Sequence, residues 1–307
     1  MSISAEPGQS CNSRPTIGVF DSGFGGLTVL RALLPLTPAA HYIYLGDTAR
    51  LPYGSKSRET IARYAVSSAH YLEDRGAELL VIACNTAAAL AIEDIRAAVS
   101  IPVVGVIAPG AQAASKALKF SLQPDVELAE RAREKPALPP LPTQILVLAT
   151  TATVHSHAYR EACAAYRLQA TEKACPLLVP LIEEGWTDHA VTRDVLRIYL
   201  REALADCTPA AILLGCTHYP LITQAIQTTL NELGSHAIII DSAAATAQAV
   251  AQTVAQIVAQ TLNLPQQSTS ESTFDCLATD SVEKFALLGS HFLGRPIPQA
   301  KLIDLGG

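Results

Sequence analysis

The chain has 307 residues, with 22 Lys and Arg against 28 Asp and Glu, for a formal charge of −6. That balance excludes a nucleic-acid binder driven by net basic charge, and 49% hydrophobic against 16% charged residues excludes wholesale disorder and fibrous or mucin-like architectures. The length is about twice that of a typical domain, which points to two domains or one large α/β unit.

Residues 1–15 lack the basic start and apolar core of a signal peptide and read as a disordered tail. Apolar runs such as LLVIAC and AAILLGC stop well short of the roughly 18 residues needed to cross a bilayer. A soluble cytoplasmic protein, free of membrane, is the expectation. Seven cysteines with no Cys-x-x-Cys pair indicate neither a disulfide framework nor a zinc cage.

In chain order, the first strand, TIGVF, runs into FDSGFGGLT. Here Gly23, Gly25 and Gly26 stand between a strand and a helix, and Asp47 follows at the end of the next strand, HYIYLGD. This imitates a dinucleotide fingerprint. However, Thr28 replaces the third glycine, and the carboxylate of Asp21 would repel a pyrophosphate. The glycines are better explained as a tight turn that approaches a small ligand, with Ser22 as a hydrogen-bond donor. ETIARYAVSSAHYLEDRG follows as an amphipathic helix, then the strands LLVIAC and VVGVI. Residues 119–143, rich in charge and proline, read as an inserted surface segment. QILVLAT is a strand, TRDVLRIYLREALADC an amphipathic helix, and AAILLGC and AIIID are strands. Residues 243–262 form a helix with Ala247, Val250, Val254, Ile257 and Val258 on one face. His155 and His157 lack a partner at ligand spacing and read as a surface helix start. Strands apolar on both faces, alternating with helices, make the fold class α/β with mainly parallel sheets flanked by helices.

An internal repeat organises the chain. LEDRGAELLVIACNT, from Leu72, and LADCTPAAILLGCTH, from Leu204, keep Leu, Asp, a strand and a strand-end cysteine in register at an offset of 132 residues. Two similar α/β domains facing each other are expected, with the active site in the cleft between them. Ligands of open α/β sheets bind beyond the carboxyl ends of strands. Cys84 and Cys216 hold that position in equivalent places, followed by Asn85 and Thr86 in one case and by Thr217 and His218 in the other.

A cysteine hydrolase needs one thiolate and a base, whereas inversion at carbon needs a base on one face and an acid on the other. Two opposed thiols fit inversion. A thiol of pKa about 8.5 is only a few per cent thiolate at pH 7 and needs partners for its proton; Asp21 and His218 are the candidates.

FDSGFGGL, GDTARLPYG, ACNTA, CPLLVPLIEEG and GCTHYP, in this order over roughly residues 16–245, with FLGRP near the C-terminus, resemble the bacterial glutamate racemase family. The resemblance implies two pseudo-symmetric domains, residues 16–113 plus 222–305 and residues 114–221. It implies a cofactor-independent and metal-independent enzyme that interconverts L- and D-glutamate for peptidoglycan synthesis. It makes Cys84 and Cys216 the acid and base, acting on the D- and L-enantiomer respectively, with Asp21 and His218 assisting. Glu183 is a second assisting acid, with Glu184 beside it as the alternative. Ser22, Pro52, Tyr53, Gly54, Asn85, Thr86 and Thr217 are implied substrate contacts. The expected partner is glutamate, without nucleic acid or membrane, and a homodimer is open. Ala88 after Cys-Asn-Thr-Ala, and His218 rather than Glu after Cys-Thr, favour glutamate over an aspartate racemase of the same superfamily. A single-cysteine amidohydrolase or an amino-acid-binding module remains as an alternative of a different class.

Overall fold

The computed structural model describes residues 14–37, 40–121, 143–261, 271–297 and 299–306. The tail expected over 1–15 lies outside these residues but for Arg14 and Pro15. Of the segment 119–143, only the ends are described: residues 119–121 continue the helix Ile107–Ser121 and Thr143 opens a strand, so these ends belong to regular elements and not to an insertion.

The strands are β1 (Thr16–Asp21), β2 (His41–Gly46), β3 (Leu79–Ile82), β4 (Val103–Gly105), β5 (Thr143–Ala149), β6 (Leu168–Ala174), β7 (Ala211–Gly215), β8 (Ile238–Asp241), β9 (Thr273–Ala278) and β10 (Ala300–Leu302). They form two parallel sheets, ordered β10-β9-β2-β1-β3-β4 and β6-β5-β7-β8. The central strands are buried on both faces: Ile17, Val19 and Phe20 of β1 and Ile145 to Ala149 of β5 are shielded from solvent. Such strands have no polar face to expose, and this is why they read as continuous apolar runs.

Strand register makes the repeat explicit. Phe20 of β1 pairs with Leu45 of β2 and Ile82 of β3, and Leu148 of β5 pairs with Lys173 of β6 and Leu214 of β7. Strands β2-β1-β3-β4 therefore correspond to β6-β5-β7-β8. One sequence expectation needs correction here. Residues 238–241 were grouped with the first domain, but β8 pairs with β7 and belongs to the second sheet.

Helices cover the sheets with their apolar faces. In the helix Arg58–Asp74, Ile61, Ala65, Ser68, Ala69 and Leu72 are buried, and Ser57 caps the first turn by accepting from the Thr60 N–H. Such a cap contributes about 1 kcal/mol. The helix Ser242–Thr261 buries Ala247, Val250 and Val254; the side chains of Ile257 and Val258 lie outside the described residues. It packs on the helix Leu27–Leu33 and β4 of the first sheet, and on the helix Ile107–Ser121 and β7 of the second, forming the seam between the halves. No helix among the described residues is long and apolar enough to cross a membrane.

Candidate active site

The carboxyl ends of β1, β3, β5 and β7 open onto one cleft of about 520 Å³, lined from one half by Ser22, Cys84, Asn85 and Thr86 and from the other by Thr150, Cys216, Thr217 and His218. Both strand-end cysteines thus reach the same cavity from different sheets.

On the first wall, Cys84 follows β3 by two residues and donates to the Ser22 hydroxyl at 3.4 Å. Burial, reinforced by the charge of Asp21, pushes its thiol up to about 12. Asp21 ends β1 but does not line the cleft; it is 1% exposed behind Ser22. Its Oδ2 accepts from the Gly23 N–H at 2.9 Å, while Oδ1 has no partner among the described residues. Burial raises its carboxyl pKa, opposed first by the positive charge of His218 and then by the Gly23 and Gly26 N–H groups. The sequence expectation that Asp21 assists chemistry therefore places it one layer behind the surface that a ligand meets.

On the second wall, Cys216 directly follows β7 and its Sγ lies 3.9 Å from His218 Nδ1. His218 Nε2 is 3.0 Å from Glu183 Oε1. Burial disfavours the imidazolium, but hydrogen bonds to Cys216 and Glu183, and their negative charges, outweigh it and bring His218 up to about 10. Glu183 is the last residue of the helix Leu178–Glu183 and lines the cleft, whereas Glu184 is exposed outside it. The geometry thus brings Glu183 to His218 and leaves Glu184 away.

Pro52, Tyr53 and Gly54 line the cleft as a loop. The Tyr53 side chain is turned inward, 1% exposed, and its hydroxyl donates to buried Asp47 at 2.6 Å; Thr279 donates to the other Asp47 oxygen at 2.9 Å. Tyr53 is therefore the anchor of this loop. Asn85 Nδ2 donates to the Tyr159 hydroxyl at 2.7 Å, and the buried Oδ1 has no partner among the described residues. Thr86 Oγ1 lies 3.0 Å from Thr150 Oγ1 and 3.3 Å from Thr153 Oγ1, a hydroxyl cluster that ties the two halves. Thr28 Oγ1, donating to the Thr217 carbonyl at 3.1 Å, is a second tie.

Sequence reasoning missed Leu51, Thr150, Thr151, Val179 and Pro180 as lining residues. Thr150 had a signal: it follows β5 as Ser22 follows β1, so the repeat itself points to it. His155 and His157 are exposed, and His157 Nδ1 pairs with Glu172 at 2.9 Å.

The protonation of His218 has a consequence for stability. Its folded value of about 10 lies above the ordinary 6.5, so over that interval the folded chain keeps a proton that the unfolded chain has lost, and stability falls as pH rises. The contribution is fully present below about pH 6.5 and is lost towards pH 10. Tm is expected to decline across this window, and His218→Asn to flatten the decline. Parallel Tm curves for the two proteins would contradict the assignment.

Comparison with known proteins identifies the family. Residues 17–122 and 126–250 match Asp/Glu/Hydantoin racemase. The chain belongs to the Asp/Glu/Hydantoin racemase family. The glutamate racemase of Koribacter versatilis (strain Ellin345) is 44% identical over 96% of this chain and 99% of its own length, and that of Aquifex aeolicus (strain VF5) is 40% identical over 76% and 80%. The solved structure of glutamate racemase from Francisella tularensis subsp. tularensis SCHU S4 in complex with D-glutamate superposes with a TM-score of 0.76, at 31% identity over 96% of this chain and 98% of that one. Like these relatives, this racemase-family chain is an isomerase that acts on amino acids. Its two α/β halves, parallel sheets flanked by helices, share the fold of the racemase structures. Aspartate racemase from Picrophilus torridus, 18% identical with a TM-score of 0.52, shares the fold.

Proposed function

We propose that the enzyme interconverts L- and D-glutamate in the cytoplasm by a two-thiol acid/base mechanism, and that its D-glutamate supplies peptidoglycan synthesis. The observation that carries the mechanism is the pair Cys84 and Cys216. They stand at equivalent strand ends, line one cleft, and each has its own auxiliary groups. The halves form the two domains, with β8 counted in the second.

The reaction begins with one sulfur as thiolate and the other as thiol. The thiolate takes the Cα proton from one face, leaving a carbanion conjugated with the carboxylate. The opposite thiol then delivers its proton to the other face, so a turnover exchanges the protonation states of the two sulfurs. Burial holds Cys84 as a thiol, and His218, protonated and bound to Glu183, is the cation that a thiolate at Cys216 needs.

The carbanion requires stabilisation. Hydroxyls of Ser22, Thr86, Thr150 and Thr217 supply donors for carboxylate oxygens, while Leu51, Val179 and Pro180 exclude water. The unpartnered Asn85 Oδ1 is the acceptor that a substrate ammonium needs. A second reading is aspartate racemisation, the activity named for the Picrophilus torridus fold neighbour at 18% identity. With the pure enzyme, the circular dichroism of L-glutamate is expected to decay to zero and that of L-aspartate to persist. Preferential decay of aspartate would reverse the substrate assignment.

A further inference from the structure

Among the described residues, the segment after the repeat has no counterpart in the second half. It contains β9, the helix Val282–Leu293 and β10, and it extends only the first sheet. Yet this segment reaches the second thiol's auxiliary group. Phe292, 1% exposed near the end of that helix, sets its ring 4.9 Å from the His218 imidazole, centroid to centroid, with the planes at 77°. Phe24 wedges beside both, 5.9 Å from Phe292 and 6.4 Å from His218. Gly25 lies so close that a Cβ there would come within 2.5 Å of His218 Nδ1. With Nε2 bound to Glu183 and Nδ1 3.4 Å from Thr217 Oγ1, the ring has aromatic walls, a backbone wall and a polar contact at each nitrogen.

We infer that Phe292 is a positioning residue for the reaction: through it the C-terminal helix fixes the His218 ring so that Nδ1 faces Cys216, giving the segment outside the repeat a role at one thiol and not at the other. This rests on the reading of Cys216 as an acid/base group. The repeat explains why such support is needed. His218 stands where the first half has Thr86, a short side chain pinned by Thr150 and Thr153. An imidazole in that place has two rotatable bonds, and its 3.9 Å approach to Cys216 is long enough that a small swing breaks it. Aromatic pairs with ring centroids 4.5–7 Å apart, in tilted or edge arrangements, hold such a ring by packing and quadrupole interaction. Cys84 takes its partners from the end of β1 instead.

The test is Phe292→Leu, which keeps an apolar side chain in the site; Phe292→Met, unbranched and adaptable, serves if the first does not fold. In the substrate-free enzyme, alkylation of each cysteine by iodoacetamide is followed by peptide mass spectrometry. Loss of the fixed imidazolium lowers the thiolate fraction at Cys216, so its rate is expected to fall about threefold or more while that of Cys84 holds. General loosening of the core would have the opposite sign and speed up both. An unchanged Cys216 rate, or acceleration of both thiols, overturns the inference whatever the substrate is.

A second readout uses turnover. Because a racemase has an equilibrium constant of one, kcat/KM must fall equally in both directions, but the primary isotope effect of α-deuterated substrate need not. It is expected to rise for the enantiomer deprotonated by Cys216 and not for the other. Equal changes for both enantiomers overturn the inference. If wild-type enzyme leaves glutamate untouched, the functional reading falls, and the alkylation rates still decide the role of Phe292.

Discussion

Cys84→Ala and Cys216→Ala are each expected to abolish racemisation, with the rate falling at least about 10² to 10⁴-fold, the contribution of one general acid or base. In the proposed mechanism each face of the substrate meets a single sulfur. Removing Cys84 leaves no proton donor or acceptor there, because its neighbour Ser22 offers only a hydroxyl and Asp21 lies behind the cleft surface. Removing Cys216 leaves His218, whose Nδ1 contacts the Thr217 hydroxyl at 3.4 Å and lies 3.9 Å from the position of the missing sulfur. Both cysteines are small and buried, so their replacement by Ala leaves a cavity about the size of one sulfur atom, and the variants should retain wild-type far-UV dichroism. Steady-state racemisation of L- and D-glutamate checks the expectation. Either variant working within tenfold of wild type would return the one-cysteine readings.

Gly25→Ala is expected to be nearly as damaging, although Gly25 carries no chemistry. An added Cβ would sit 2.5 Å from His218 Nδ1 and 2.6 Å from its Cε1, and closer still to Thr217 Oγ1. Real Cβ atoms do not approach so closely, so either the loop or the His218 segment must retreat. The imidazole is held on its other sides by Glu183 and Phe292 and has little room to move. Overpacking of this kind costs about 1–3 kcal/mol, and displacing a catalytic group by about 1 Å costs about 10² in rate. Gly23→Ala is the comparison, since its Cβ would meet only the flexible Leu51 side chain at 3.0 Å. A Gly25→Ala enzyme no worse than Gly23→Ala, in kcat/KM and Tm, would mean that the contact between the halves is not tight.

How much of this was legible in the sequence depended on burial. Strands β1, β3, β5 and β7 are covered on both faces, so their apolar runs announced them, and with them came the strand-end cysteines. Strand β6 escaped notice because LQATEKA is an edge strand carrying Thr171, Glu172 and Lys173, polar side chains that an apolar-run search passes over. Strands β9 and β10 lie outside the repeat, and β10 has only three residues. The misplacement of β8 is instructive. The repeat, carried past Cys216, predicts a counterpart to β4, and AIIID is that strand; the short turn Tyr219–Ile222 leads straight into the helix Thr223–Glu232 and does not end the unit.

Residue type and strand-end position were enough to single out Cys84, Cys216, Asn85, Thr86, Thr217 and His218, which line one cleft. Side-chain direction was not readable. Tyr53 points into the core towards Asp47, and Asp21 sits behind Ser22. Glu183 and Glu184, adjacent in sequence, differ because the helix Leu178–Glu183 ends there and turns the second carboxylate outward. The Phe292 contact joins residues that no local pattern relates.

The most direct test of the two-thiol mechanism is the position of solvent deuterium early in a reaction run in deuterated water. Starting from L-glutamate, the D-glutamate formed should carry deuterium at Cα while the remaining L-glutamate keeps its protium, and the mirror result should hold from D-glutamate. The base that takes the substrate proton and the acid that delivers the solvent-derived one are then different sulfurs. Protium carried over into the product, or deuterium appearing equally in both enantiomers from the start, would show a single group serving both faces and would contradict the mechanism.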